Sequence, residues 1–190
     1  MPVLDKILNK IKNGEIVLLI SPARLIQETD FNVLKYLTNK ADTGVYVTIN
    51  RPYYALKRVL DEHKINTDKV FFIDLISSSA NTKPERTEKC LFLSSPSDLT
   101  ELGVVIDQYI KSLNKDETTF IFIDNLSAFL IYNNIDIMSE FAHFLVTKMR
   151  MNNVLGVIIS VEEEMGNKLI GTLSSLCDRT EKVTNKWLTF

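Results

Sequence analysis

Five short runs of apolar residues have the length and composition of β-strands that are buried on both faces. They are rich in Val, Ile, Leu and Phe, and they lack the polar alternation of a strand with one solvated face. The runs occupy residues 16–20, 45–49, 70–73, 120–123 and 154–159. We therefore expect five core strands.

Segments with the spacing of amphipathic helices lie between these runs. Apolar residues recur at helical intervals in residues 31–37, 55–60 and 99–110, and a longer helix is predicted from about residue 135 to residue 150. Strand and helix thus alternate from Glu15 to Ser160, which is typical of a parallel sheet with helices on both faces. The prediction is an α/β fold with a doubly wound, mostly parallel sheet.

The remaining segments add little to this pattern. Residues 77–89 are polar and predict a loop, which we expect to be mobile. After residue 160 the sequence predicts a short helix at 169–176 and two closing strands near 180–183 and 186–190. A length of 190 residues suits one domain, and no repeat or linker divides the chain. We treat residues 1–190 as a single domain.

Charge and cysteine content exclude several classes of protein. The chain has 22 Lys and Arg against 24 Asp and Glu, so its net charge of −2 creates no overall field that attracts nucleic acid or an anionic membrane. Cys90 and Cys177 have no His at metal-ligand spacing, which argues against a zinc site or a disulfide framework. No segment has the length of a membrane-spanning run or the pattern of a signal peptide. We expect a cytoplasmic protein without a metal.

Polar residues at the strand ends are the first candidates for a binding site. In a parallel α/β sheet, ligands occupy the crevice beyond the carboxyl ends of the strands. Each of these side chains also suits the cap of a following helix, so taken singly each is expected to be structural. The acidic residues 162–164 could bind a cation, although a solvated run of charge is the commoner case. The strand-end candidates are Ser21, Asn50, Arg51, Asp74, Asp124 and Ser160.

Six segments in this order resemble the KaiC branch of the RecA-like ATPases. The segment around residue 124 resembles the family's Walker B strand, and the others resemble the strands and helices on either side of it. The resemblance covers most of the chain and implies the RecA/KaiC-like fold. The segments are TGVYVTIN, KVFFIDL, SPSDLTELGVVIDQYI, TTFIFIDNLSAFL, NVLGVIISVEEE and LSSLCDRTEKV.

The departures from this family concern nucleotide chemistry. The resemblance implies a Gly-rich phosphate loop after the first strand, but the chain has no Gly between Glu15 and Thr43. Glu28, Thr29 and Asp30 stand where the family has Gly, Lys and Thr. Two carboxylates at a helix N-terminus would repel phosphate, and we expect them to cap the helix instead.

The family's catalytic Glu and its Mg²⁺ ligand lead to the same expectation. Asn50 replaces the Glu that activates water, and an amide cannot act as a general base. Asp124 remains at the Walker B position, where we expect it to accept hydrogen bonds from the backbone. We therefore predict an inactive ATPase homologue with no catalytic residue, no bound cofactor and no metal.

Two apolar segments are candidate contact surfaces. The first contains Phe129, Leu130, Ile131 and Tyr132, and the second is the aromatic C-terminus with Trp187 and Phe190. Core burial is the default for such residues, but an excess of aromatic side chains is also typical of protein interfaces. We expect at least one of the two segments to contact another chain, preferably a second copy.

Three functions remain open at this point. The leading hypothesis is a non-catalytic regulatory or scaffolding module that binds a protein partner or its own copies. The first alternative is a sensor that binds a nucleotide or metabolite in the strand-end crevice without hydrolysis. The second is an accessory factor in DNA recombination or repair, because the resemblance extends to recombinase paralogues; the net charge makes nucleic acid an unfavoured partner.

Overall fold

A computed structural model of the chain describes residues 7–80, 84–85, 87–114, 116–164 and 166–185. These residues form one parallel sheet with the strand order β4-β3-β2-β5-β6-β1-β7. Neighbouring strands pair in parallel throughout, so their carboxyl ends meet at one edge of the sheet. The strands are β1 (Ile16–Ser21), β2 (Thr43–Thr48), β3 (Val70–Asp74), β4 (Cys90–Phe92), β5 (Thr119–Ile123), β6 (Leu155–Val161) and β7 (Arg179–Lys182).

The central strands are buried on both faces, as the unbroken apolar runs predict. Every residue of β1, β5 and β6 is buried. Successive side chains point to opposite faces of the sheet, so Leu18 and Ile20 of β1 enter one core, whereas Val17 and Leu19 enter the other. The sheet therefore needs helices on both sides.

Helices cover the two faces in two groups. The first group packs on the face that contains Val17, and the second packs on the face that contains Leu18. Their bounds follow the predicted segments closely, and the expected doubly wound α/β fold is confirmed. The first group is α1 (Ile26–Lys40) and α2 (Tyr53–Glu62), and the second is α3 (Leu99–Ser112), α4 (Ile135–Met151) and α5 (Asn167–Leu176).

Two edge strands flank the five that the sequence predicts. The sequence does not predict β4, because three residues are too few to form a recognisable apolar run. β4 pairs with β3 at the edge of the sheet and leaves Leu91 exposed. β7 lies in the segment where a closing strand was expected and pairs in parallel with β1. The predicted strand at 186–190 lies outside the described residues. The predicted loop contains a short 3-10 helix, Ser77–Ala80.

The apolar segment from Phe129 to Tyr132 divides between core and surface. Phe129 is fully buried, and its ring lies 6.3 Å from that of Phe141 between centroids. The expectation that Phe129 faces a partner is therefore wrong, because the 3-10 helix Leu126–Ile131 turns this side chain inward. Leu130 packs partly buried against the same core, whereas Ile131 and Tyr132 are 76% and 41% exposed. Trp187 and Phe190 lie outside the described residues.

None of the described helices combines the length and the hydropathy that a segment needs in order to span a lipid bilayer.

This division predicts different costs for two changes in one short segment. Phe129→Ala removes a fully buried ring and should lower the free energy of unfolding by about 3–5 kcal/mol. Ile131→Ala removes a largely exposed side chain and should change it by about 0.5 kcal/mol or less. Urea denaturation of both variants measures these changes. Equal losses of the free energy of unfolding in the two variants would contradict the burial of Phe129.

Candidate functional site

The carboxyl ends of four neighbouring strands surround a cavity of about 230 Å³. Its walls come from the segments that follow β1, β2, β5 and β6, together with the first two turns of α1. This position is the crevice where ligands bind to parallel α/β sheets. The lining residues that bear on its chemistry are Gln27, Asp30, Phe31, Tyr46, Asn50, Arg51, Asp124, Asn125 and Glu164.

The connection from β1 to α1 is a tight turn built without glycine. Pro22 precedes a 3-10 helix, Ala23–Leu25, which continues into α1. Thr29 is buried, and its hydroxyl donates a hydrogen bond to the Leu25 carbonyl over 2.8 Å. The expected capping by carboxylates is wrong, because no side chain caps the start of α1. Glu28 lies half-buried in the first turn of α1.

Asp30 is the most unusual group in the crevice. It is only 8% exposed, and its Oδ1 has no hydrogen-bond partner among the described residues. Burial raises the pKa of its carboxyl well above the ordinary range, the negative charge of Asp124 raises it further, and Arg51 opposes the change. The family resemblance singles out this position, but the sequence does not predict its burial, since an Asp in the second turn of a helix is normally solvated.

Asp124 joins the end of β5 to the end of β2. Its Oδ1 accepts a hydrogen bond from the Ile49 amide at 3.2 Å, and its Oδ2 lies 2.9 Å from the Thr48 hydroxyl. The expectation that Asp124 accepts backbone hydrogen bonds is confirmed. Burial raises the pKa of Asp124 to about 6, although the hydrogen bonds to its carboxylate oppose the increase.

The Thr48 hydroxyl links Asp124 to the segment that follows β2. It lies 2.8 Å from the Arg51 carbonyl and 2.9 Å from Asp124 Oδ2. Its hydrogen bond to the Asp124 carboxylate lowers the pKa of Asp124 and so opposes the effect of burial.

The side chains after β5 and β6 form a polar network on the far wall of the cavity. The Asn125 amide donates to Asn50 Oδ1 and to Glu164 Oε2, each at 3.3 Å. The Ser127 hydroxyl lies 2.8 Å from the same Glu164 oxygen. Asn50 thus serves as a hydrogen-bond acceptor at the rim of the cavity.

The acidic residues 162–164 are not a free run of charge. Glu162 pairs with Lys182 at 2.7 Å, and Glu163 accepts a hydrogen bond from the Ala23 amide at 3.0 Å. Glu164 turns toward the cavity. None of the three residues is buried, and Glu163 and Glu164 are exposed, so the run remains solvated although its carboxylates also have partners in the fold.

Arg51 and Tyr46 complete the cavity. The Arg51 guanidinium donates to Gln27 Oε1 at 2.7 Å and forms no ion pair with a carboxylate among the described residues. Tyr46 is buried in β2, and burial together with the negative charge of Asp124 raises the pKa of its phenol well above the ordinary range. The strand pattern predicts that Tyr46 is in the core, but it cannot predict that its hydroxyl reaches the crevice.

The chemistry of the cavity is that of an acidic, partly aromatic pocket. Asp30, Asp124 and Glu164 place three carboxyl groups around it, with Arg51 as one cation on the wall. In the described part of the chain, no group of three or more His, Cys, Asp or Glu side chains is arranged to hold a metal ion. The arrangement suits a ligand that donates hydrogen bonds better than one that carries phosphate.

The architecture is that of the RecA/KaiC-like α/β proteins, as several solved structures show. The KaiC-like protein PH0186 from Pyrococcus horikoshii OT3 is similar to 98% of this chain over 80% of its own, with a TM-score of 0.67 and 14% identity. PH0321 from Pyrococcus horikoshii, solved in complex with an unknown peptide, has a TM-score of 0.69 and 14% identity. The match covers 95% of this chain and 81% of PH0321. The flagellar accessory protein FlaH from Methanocaldococcus jannaschii has a TM-score of 0.62 and 12% identity, and the match covers 95% of this chain and 76% of FlaH.

The sequence itself places the chain in a family. Residues 32–181 match the model of a family of unknown function, DUF7504, and the protein belongs to that family. No curated protein matches the chain.

The two raised carboxyl pKa values predict an unusual dependence of stability on pH. Because the folded state holds protons that the unfolded state releases above the ordinary value of 3.8, the free energy of unfolding should fall as the pH rises from about 5 to about 7.5. Asp124 alone should account for about 1.4 kcal/mol of this decline.

Urea denaturation of the wild type and of Asp30→Asn at the two pH values tests this dependence. Asp30→Asn removes one of the two groups, so its stability should decline less over the same interval. Glu28→Gln removes a charge from the same helix outside the cavity and serves as the control. A wild type that becomes more stable toward neutral pH would contradict the buried state of both carboxyls.

Proposed function

We propose that this protein is a cytoplasmic RecA/KaiC-like module that does not hydrolyse nucleotides and acts in regulation or as a scaffold through protein contacts. The observation that carries the proposal is the pair of buried carboxyl groups, Asp30 and Asp124, in the crevice of the sheet. In the related ATPases, as the sequence resemblance implies, this crevice receives a nucleotide on a Gly-rich loop. Here the corresponding segment is Pro22 followed by a 3-10 helix, which supports the loss of the phosphate site.

Electrostatics favour the loss of nucleotide binding. A phosphate at this crevice would approach Asp30, whose buried carboxyl lies in the second turn of α1. The attraction that backbone amides at a helix N-terminus offer to an anion would be opposed whenever Asp30 is ionised, and a neutral Asp30 would supply no positive charge in place of the family's Lys. Asn50 at the end of β2 has no acid–base function that could activate water.

The proposed contact surface lies at the start of α4. Ile131 and Tyr132 are exposed just before this helix, and Ile137 in its first turns is exposed as well. Between α3 and α4, Ile137 and Val104 also line an open groove of about 640 Å³. Clustered apolar side chains on a protein surface are typical of interaction sites. We propose a second copy of the chain as the first partner.

One similar structure supports a peptide-binding use of this fold. PH0321 was solved in complex with an unknown peptide. A chain with the same architecture can therefore present a surface that holds a peptide. The net charge of −2 gives no comparable support to a nucleic-acid partner.

The proposal predicts that the purified protein releases no phosphate from ATP or GTP with Mg²⁺ above the buffer background. The Lys that stabilises a transferred phosphoryl group and the carboxylate that positions water are both replaced. A phosphate-release assay checks this, together with Asp124→Ala as a control for contaminating ATPases. Steady turnover that disappears in the Asp124→Ala variant would contradict the proposal.

Self-association is the second prediction of the proposal. Light scattering at micromolar concentration should give a mass above the 21.7 kDa of one chain. The double change Ile131→Ser and Tyr132→Ser should weaken the association about tenfold or more, because aromatic anchors contribute most to interfaces.

Met151→Ser is the matched control for this experiment. Met151 is 79% exposed at the opposite end of α4, so its loss should leave the mass unchanged. A wild type that stays at the mass of one chain, or a Met151 variant that dissociates equally, would contradict the proposed surface.

A further inference from the structure

The buried Asp30 carboxyl lines the cavity with one oxygen, Oδ1, that has no hydrogen-bond donor in the described part of the chain. A buried polar atom without a partner costs free energy, and a buried carboxylate costs more. Because Asp30 lines the crevice, a bound molecule can donate a hydrogen bond to its carboxyl group.

Other groups in the cavity already have partners, so Asp30 differs from them. Asp124 contacts Thr48 and the Ile49 amide, and Glu164 accepts hydrogen bonds from the wall behind it. Arg51 donates to Gln27 over 2.7 Å and not to Asp30. The Asp30 carboxyl is therefore an acceptor that a ligand in the cavity can use.

We propose that the crevice binds a small molecule with a primary ammonium group, which donates hydrogen bonds to Asp30. An ammonium group offers three donors and a positive charge that matches the acidic wall formed with Asp124 and Glu164. Phe31 and Tyr46 line the same cavity, and aromatic rings near a cation add a favourable interaction. This ligand site is additional to the proposed protein contacts and does not depend on them.

The geometry favours an organic cation over a metal ion. Asp124 uses both carboxyl oxygens within the fold and Glu164 uses its Oε2, and the described residues contain no cluster of three or more metal-ligating side chains at this place. A divalent ion prefers a larger set of oxygen ligands. A cavity of about 230 Å³ also accommodates more than a single ion.

Arg51 distinguishes two sources of the ammonium group. Its guanidinium lies on the same wall, so a ligand that also carries a carboxylate can pair with it. A free amino acid has both groups, whereas a simple amine has only the first. Binding of an amino acid should weaken in Arg51→Gln, and binding of a simple amine should not.

Thermal shift and calorimetric titration at neutral pH test the site. The probes are glycine, L-alanine, L-lysine, ethylamine and putrescine, with acetate and N-acetylated alanine as probes that lack an ammonium group. At least one ammonium probe should give a saturable rise in Tm and a measurable heat. Its affinity should fall about tenfold or more in Asp30→Asn, because a charge-assisted hydrogen bond is lost.

Glu28→Gln is the matched control, since it removes a charge from the same helix outside the cavity and should leave binding unchanged. Absence of a saturable response to every ammonium probe would overturn the proposal. Equal binding by wild type and Asp30→Asn would also overturn it. The same holds if Mg²⁺ or Mn²⁺ alone gives an Asp30-dependent shift while the amines give none. ATP binding would instead contradict the proposed function.

Discussion

The crevice of this protein depends on the contact that Asp124 makes across the sheet. Its carboxyl group holds the Ile49 amide and the Thr48 hydroxyl, so the end of β5 fixes the end of β2. The chain after β2 is thereby directed over the crevice toward α2. Asp74 acts similarly at β3, because its Oδ2 accepts a hydrogen bond from the Tyr53 amide at the start of α2 at 2.6 Å. Two buried acids therefore shape the edge of the sheet.

The same design reverses the electrostatics that a phosphate ligand requires. Phosphate sites at strand ends combine backbone amides with positive side chains. Here Asp30 and Asp124 are buried side by side, and burial raises the pKa of both. Such groups are stable as neutral acids, or as anions when a cation is close. The crevice is therefore suited to a positively charged partner.

Sequence reasoning predicted the sheet well and the surfaces less well. Unbroken apolar runs define the central strands, because strands buried on both faces have no polar positions. β4 escaped prediction because it is three residues long and lies at the sheet edge. The burial of Phe129 and of Asp30 was not predicted for another reason. Periodicity fixes the face of a long helix, but it does not show which way a 3-10 turn points or which helix end covers a crevice.

The titration of Asp30 is the measurement that tests the account most directly. Carbon NMR of the side-chain carboxyl groups reports the pKa of each Asp by its change in chemical shift with pH. The account predicts that Asp30 titrates well above its ordinary range and that Asp124 titrates near 6. If both groups titrate at or below the ordinary value of 3.8, the crevice is not an acidic, desolvated pocket. The account of Asp30 and Asp124 as buried acids with raised pKa values would then be wrong.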